Sequence, residues 1–261
     1  MSPTLAACFA HPDDEAYCTY ASVALHCAEP TFRLAVLLAT DGEAGEVAPG
    51  LEVGPDGLGA LRREEDARAW RSLGYSPDRQ DWLGLPDGAL AEVPFDGLVS
   101  SVATFLDAER PDVVVTFGPD GLTGHPDHVA IGAATDAAFH AVRRDGGPGL
   151  RRLLHPAIAD SWFARHQAWR RANGHPPWDP DRIYHLRSVE DSRIGVDVRT
   201  AAVAHRLLAG LKEHRSQRHV MLPAVDDDTF VRGATHETHV VVWPPRAPTE
   251  PPLHSIFEGL D

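Results

Sequence analysis

Two short runs concentrate the residue types that bind metals and move protons: His11-Pro12-Asp13-Asp14-Glu15 and Gly124-His125-Pro126-Asp127-His128. Each follows an apolar run of strand character, Leu5 to Ala10 in one case and Val113 to Phe117 in the other, and precedes a segment of helical period. Side chains at the carboxyl ends of strands in an open α/β sheet converge on one crevice, so runs far apart in sequence can meet there. Any one of these residues alone reads as structural, an aspartate capping a helix or a histidine satisfied in a loop. Five polar or constrained residues in a row fit that account poorly. The chain has 15 histidines, and His-Pro recurs at His155-Pro156 and His175-Pro176, but no aspartate follows there and both read as loops. Two histidines and a carboxylate make an open divalent-metal site that leaves a coordination position for water. Pro126 suits a first helical turn. His128 would then lie near the positive end of a helix dipole, where an imidazole stays neutral and available to a metal.

The elements that must position these runs are short apolar segments alternating with longer helical ones, the pattern of βα units in a mostly parallel sheet. Strands are expected at Leu5 to Ala10, Leu34 to Ala39, Asp81 to Leu85 and Val113 to Phe117, and a last one at Thr235 to Trp243. Helices are expected at Glu15 to Ala28, Ala60 to Leu73, Phe95 to Glu109, His128 to Arg144 and Ala201 to His214. The fold class is α/β, a three-layer Rossmann-like arrangement with a mostly parallel central sheet. Ala44 to Gly59 and Ala172 to Asp181 read as irregular loops, and a proline-rich tail follows the last strand.

Composition narrows the partners. A formal net charge of -14, with Lys212 the only lysine, gives no basic footprint for nucleic acid or anionic membrane. The arginine pairs Arg143-Arg144, Arg151-Arg152 and Arg170-Arg171 read first as solvated faces or ion-pair partners, and second as a local attraction for an anionic group. Three cysteines (Cys8, Cys18, Cys27) without CxxC spacing suit a reducing interior. No run approaches about 20 apolar residues and the start has no basic leader, so a cytoplasmic protein without membrane insertion is expected. The turn after the first strand holds HPDDE where a nucleotide-binding domain needs glycines, which argues against that class.

AHPDDE together with GHPDH resembles the LmbE-like (PIG-L) family of N-acetylglucosaminyl deacetylases. Further patches similar to that family are TDGEAGEV (Thr40 to Val47), Arg62 with Glu65 and Leu73-Gly74, GLPDG (Gly84 to Gly88), PDVVVT (Pro111 to Thr116) and HRSQ (His214 to Gln217). The resemblance covers most of residues 1–261, read as one deacetylase domain, and thins out in a variable segment at about 145–181. It implies that His11, Asp14 and His128 ligate zinc, or Fe2+ or another divalent transition metal, and that Asp13 is the general base. His125 would help hold the oxyanion, protonated with the help of a hydrogen bond from its ring to Asp127. Arg62, Asp87 and Glu43 would contact sugar hydroxyls, and His214, Ser216 and Gln217 would support the site from behind. Relatives acting on thiol precursors can carry a tyrosine where this chain has Thr123, so help from a phenol at that position is not expected.

The implied activity is removal of an N-acetyl group from a GlcNAc-type amino-sugar conjugate, a small-molecule substrate, with homo-oligomerisation left open. Variants on the same site are an amidase of thiol conjugates and a deacetylase of glycosylated natural products. A non-catalytic metal-binding or regulatory protein is the alternative of another class, and Asp13 argues against it, because a metal-only role needs no spare carboxylate beside the ligands.

Overall fold

The apolar runs become the buried middle of a sheet. In the computed structural model, which describes residues 3–222 and 225–260, β1 (Thr4–Phe9) and β2 (Arg33–Leu38) are buried beyond their first residue and β4 (Val113–Val115) throughout. Such continuous burial belongs to strands covered on both faces. With β3 (Arg79–Trp82), β5 (Arg152–Pro156), β6 (Val196–Arg199) and β7 (His236–Trp243), they form a seven-stranded sheet in the order β3-β2-β1-β4-β5-β7-β6. The first five of that order run parallel, and β7 lies antiparallel between β5 and β6. The expected α/β class with a mostly parallel sheet is therefore the observed one.

The helices are α1 (Asp14–Cys18), α2 (Tyr20–His26), α3 (Gly57–Leu73), α4 (Phe95–Glu109), α5 (Gly121–Gly124), α6 (Pro126–Arg144), α7 (Asp160–Ala172), α8 (Ala204–Glu213), α9 (Arg218–Met221) and α10 (Asp227–Gly233). The chain leaves β1 towards β2 and β3, then returns to place β4 and β5 on the other side of β1. Right-handed crossovers in these two directions put helices on opposite faces, with α3 packed on α8 and α4 on α6. The reversal makes the space beyond β1 and β4 a topological switch point, where open sheets bind their ligands.

Three departures from expectation have local causes. The single helix expected at Glu15 to Ala28 is broken at Thr19, whose hydroxyl donates to the Glu15 carbonyl at 2.8 Å and competes with the helix ladder. His155-Pro156 is not a loop but the end of β5, because Asp136 on α6 satisfies the imidazole at 2.8 Å. The variable segment contains β5 and α7, both unforeseen. The arginines there serve the framework: Arg152 is buried and donates to the Ile256 and Glu258 carbonyls, fastening the tail to β5. Arg143 lies over Trp243 and Arg170 over Trp178.

Candidate active site

At the end of β1 the chain turns sharply into α1. Asp13 takes a φ of 132°, a region L-residues rarely occupy at a cost of about 1–3 kcal/mol. Two local bonds fix the turn: the His11 amide donates to Asp14 Oδ2 at 2.9 Å and the Asp13 amide to Glu15 Oε2 at 3.2 Å. Arg62, reaching over from α3, donates to the Pro12 carbonyl at 2.9 Å, to the Gly42 carbonyl at 2.9 Å and to Asp13 Oδ2 at 3.0 Å. The strained loop is thus overdetermined, and it aims His11, Asp13 and Asp14, all buried, at one point.

The second arm comes from the loop after β4. Asp120 caps α5 by accepting the Leu122 amide, and His125 caps α6 with Nδ1 accepting the Asp127 amide at 3.1 Å. Pro126 follows at the first position of α6, as its sequence context requires. Gly132 lets α6 lie against the end of β4, since a Cβ there would come within 2.3 Å of the Phe117 carbonyl oxygen. His128, in the first turn of α6, stacks flat on Phe117 with ring centroids 4.0 Å apart.

The two arms meet. His128 Nε2 lies 3.3 Å from His11 Nδ1 and 3.2 Å from Asp14 Oδ1, and His11 Nδ1 lies 3.5 Å from Asp14 Oδ2. An ion bound tetrahedrally at about 2.0–2.1 Å needs neighbouring ligand atoms about 3.3 Å apart; the two ring nitrogens meet that spacing, each has one Asp14 oxygen near it, and the three residues can together hold a metal ion. The opposite ring nitrogens are held as ligand histidines require. His128 Nδ1 faces the Gly121 carbonyl at 2.9 Å, and His11 Nε2 faces Asp87 Oδ1 at 2.9 Å and Asp127 Oδ2 at 3.3 Å. The donor set also demands positive charge. Burial would lower the pKa of His11, but Asp127, Asp14 and Asp87 outweigh it and raise it well above the ordinary value.

Asp13 stands beside this triad and is not one of its three donors. Burial raises its pKa to about 6, against the opposing pull of Arg62, which suits a carboxylate to accept a proton near neutrality. His125 differs from expectation. Asp127 turns its carboxylate to His11 and to the amides of Gly88 and Leu90, at 2.8 and 3.0 Å, and gives His125 only its main-chain N–H. Burial and the neighbouring His11 and His128 lower the pKa of His125 to about 4. Both effects favour the neutral ring, and because Nδ1 accepts the Asp127 amide, Nε2 is the nitrogen left to carry the proton. Asp127 sets that tautomer instead of promoting a second proton.

The expected sugar contacts are also rearranged. Arg62 is 4% exposed, and both terminal nitrogens are engaged with Gly42, Pro12 and Asp13 while Nε has no partner, so its observed contacts position Asp13. Asp87 and Glu43 latch two loops reciprocally, Ala44 N–H to Asp87 Oδ2 and Asp87 N–H to Glu43 Oε1, both at 2.9 Å. Asp87 therefore orients His11, while Glu43 remains exposed at the rim. Behind the site, Ser216 donates its amide and hydroxyl to Glu65 at 2.9 and 2.6 Å, and Gln217 donates to the Glu46 carbonyl at 3.1 Å. His214 is buried beside Glu15 and Asp66, and burial lowers its pKa to about 3. Glu65 was not singled out as a site residue, although it lies three positions from Arg62 on the same helical face. The Gly121 carbonyl and the Gly88 amide left no signal, being main-chain groups.

Known proteins share this chain's sequence pattern and fold. Residues 6–139 match the GlcNAc-PI de-N-acetylase (PIG-L) family. A 1D-myo-inositol 2-acetamido-2-deoxy-alpha-D-glucopyranoside deacetylase 2 of Saccharopolyspora erythraea is 30% identical over 97% of this chain and 98% of its own length. A deacetylase of Rhodococcus erythropolis, named for the same compound, is 34% identical over 80% of this chain and 79% of its own. Among solved structures, the N,N'-diacetylchitobiose deacetylase of Pyrococcus horikoshii aligns with a TM-score of 0.60 at 17% identity, covering 92% of this chain and 83% of that one. The 4-carboxy-2-hydroxymuconate hydratase of Pseudomonas putida aligns with a TM-score of 0.62 at 16% identity, covering 95% and 99%. One fold carries both chemistries, so activity has to be argued from the site. The family match over more than half of the chain, with curated relatives at 30% and 34% identity, shows that the chain belongs to the GlcNAc-PI de-N-acetylase (PIG-L) family.

Proposed function

We propose that this protein is a divalent-metal-dependent N-deacetylase that hydrolyses the acetyl amide of a GlcNAc-type conjugate, with the α-glucosaminide of myo-inositol as the first substrate to try. The observation that carries the reading is the cluster of His11 Nδ1 and His128 Nε2, 3.3 Å apart and 3.5 and 3.2 Å from the Oδ2 and Oδ1 of Asp14, beside a buried aspartate that is not one of these donors. The names of the curated relatives support the substrate class.

His11, Asp14 and His128 would hold the ion, zinc by default and Fe2+ or another divalent transition metal where supply favours it. When bound, such an ion polarises the amide carbonyl and acidifies water in its coordination sphere. Asp13 accepts the proton that the water gives up as its oxygen adds to the acyl carbon. The neutral His125 donates from Nε2 to the oxygen on which negative charge develops. Asp13, protonated in the first step, returns that proton to the departing nitrogen as the C–N bond breaks, so acetate and the free amine leave and the site is restored. Arg62 keeps the Asp13 carboxylate directed through this cycle. Asp87 and Asp127 keep His11 turned with Nδ1 inward.

The whole chain is read as one deacetylase domain whose segment of about 145–181 differs most from its family. Free thiols at Cys8, Cys18 and Cys27 suit a reducing, cytoplasmic setting. Among the described residues no helix is long and apolar enough to cross a membrane. The test is release of primary amine from a panel of N-acetylglucosaminides that differ in aglycone. Turnover of at least one is expected, and turnover of none by the metal-loaded protein would overturn the reading.

A further inference from the structure

Residues 173–190 form a strap that is pinned at several points. The Gln167 side chain brackets the main chain of Trp178, donating to its carbonyl at 2.7 Å and accepting its amide at 2.8 Å. The Asp179 amide donates to His185 Nδ1 at 2.7 Å. The strap is then bonded to the loop that delivers His125: Tyr184 N–H to the Thr123 carbonyl and Arg187 N–H to the Leu122 carbonyl, both at 2.9 Å. Between these anchors Tyr184 has a φ of 66°, a strained value for a bulky residue that persists only where surroundings impose it and that clusters at functional sites. The outcome is an aromatic ring 68% exposed, standing edge-on to His125 with centroids 5.2 Å apart. Strain here turns an apolar ring outward at the mouth of the site.

We infer that Tyr184 is the platform of the amino-sugar subsite, its ring stacking on the C–H face of the pyranose whose acetamido group lies at His125. This rests on the deacetylase reading above. A rigid aromatic with a polar tip suits a ring that is apolar on its face and hydroxylated at its edge. The strap lies outside residues 6–139, so this platform belongs to the part of the chain beyond the family match. Because Tyr184 touches the residue that faces the acyl group, the contact is with the amino sugar and not with the aglycone.

The experiment compares wild type, Tyr184→Ala and Tyr184→Phe, all metal-loaded, on free N-acetylglucosamine and on its α-linked myo-inositol glycoside. Loss of the ring should raise KM about tenfold on both substrates while kcat stays within about twofold, and Tyr184→Phe should recover most of the loss. Unchanged metal content and an unchanged urea midpoint show that the variant is folded and loaded. An unaltered KM, a rise confined to the inositol glycoside, or a fall in kcat alone would each overturn the assignment. Wild-type turnover with an unaffected alanine variant removes this inference only, whereas wild-type inactivity on both substrates and on the wider panel of N-acetylglucosaminides removes the deacetylase reading with it.

Discussion

Replacing Arg62 by methionine tests whether the buried guanidinium serves Asp13 or the substrate. The side chain is 4% exposed and makes three bonds of 2.9–3.0 Å, two to main-chain carbonyls of different loops and one to the Asp13 carboxylate. Breaking a buried ion pair by removing one partner costs about 3–5 kcal/mol, a large share of a total stability of about 5–15 kcal/mol. The cost should depend on pH with a definite sign. Burial already raises Asp13 to about 6 although Arg62 opposes it, so without Arg62 the folded-state pKa rises further. A carboxyl raised in the fold contributes stability that is present below its unfolded value of about 3.9 and lost as pH climbs through the folded value. In Arg62→Met that loss continues above pH 6, by about 1.4 kcal/mol for each unit of further rise. Urea unfolding of chelator-treated protein, so that no cation contributes charge, should show a larger deficit against wild type at pH 8 than at pH 5. In the metal-loaded enzyme the acid limb of kcat/KM should move to higher pH. Equal deficits at both pH values, or a raised KM with an unmoved acid limb, would return Arg62 to the role of a sugar contact.

Other consequences follow from packing and burial. Gly132→Ala pushes a methyl group to within 2.3 Å of the Phe117 carbonyl oxygen, so α6 must shift; thermal melting should show a loss of about 1–3 kcal/mol and metal affinity should fall with it, because His128 moves too. Glu237, buried on β7, accepts the Ala21 amide and binds the Ser22 hydroxyl at the start of α2, and burial pushes its pKa up to about 7. Its stabilising contribution should therefore fade as pH rises from the ordinary carboxylate range through 7. Glu237→Gln, which keeps an acceptor for those amides, should flatten the stability profile over that interval; an equally steep profile in the variant would show that another group is responsible.

Much of this was legible because the two histidine runs carry their own positional signals. Strand, polar turn and helix start recur around His11 and around His128, and chemistry at the carboxyl end of a strand follows from sheet geometry. What was not legible depends on partners brought in by tertiary contacts. That Asp127 serves His11 and the Gly88 loop, leaving only an amide for His125, is decided by how the Gly84 to Gly88 segment crosses the site. That Arg62 is held at its terminal nitrogens by three acceptors follows from the approach of the Thr40 to Gly42 loop to Pro12. In β5, His155-Pro156 reads as a loop from the sequence, and the strand runs through it because Asp136 on α6 meets the imidazole. In α7, Gln167 is the buried residue, so no apolar stripe announces the helix. β6 is a short edge strand in which buried Val196 and Val198 alternate with Asp197 and Arg199, too brief for periodicity to register.

The central claim is that His11, Asp14 and His128 converge on one divalent cation while Asp13 stays outside its coordination shell to move the proton. Metal content and amine release measured together on wild type, His128→Ala and Asp13→Asn address both halves at once. The account predicts about one ion per chain in wild type, little in His128→Ala, and a full complement in Asp13→Asn with turnover lower by about two to four orders of magnitude. Undiminished metal in His128→Ala, or undiminished turnover in Asp13→Asn, would contradict it.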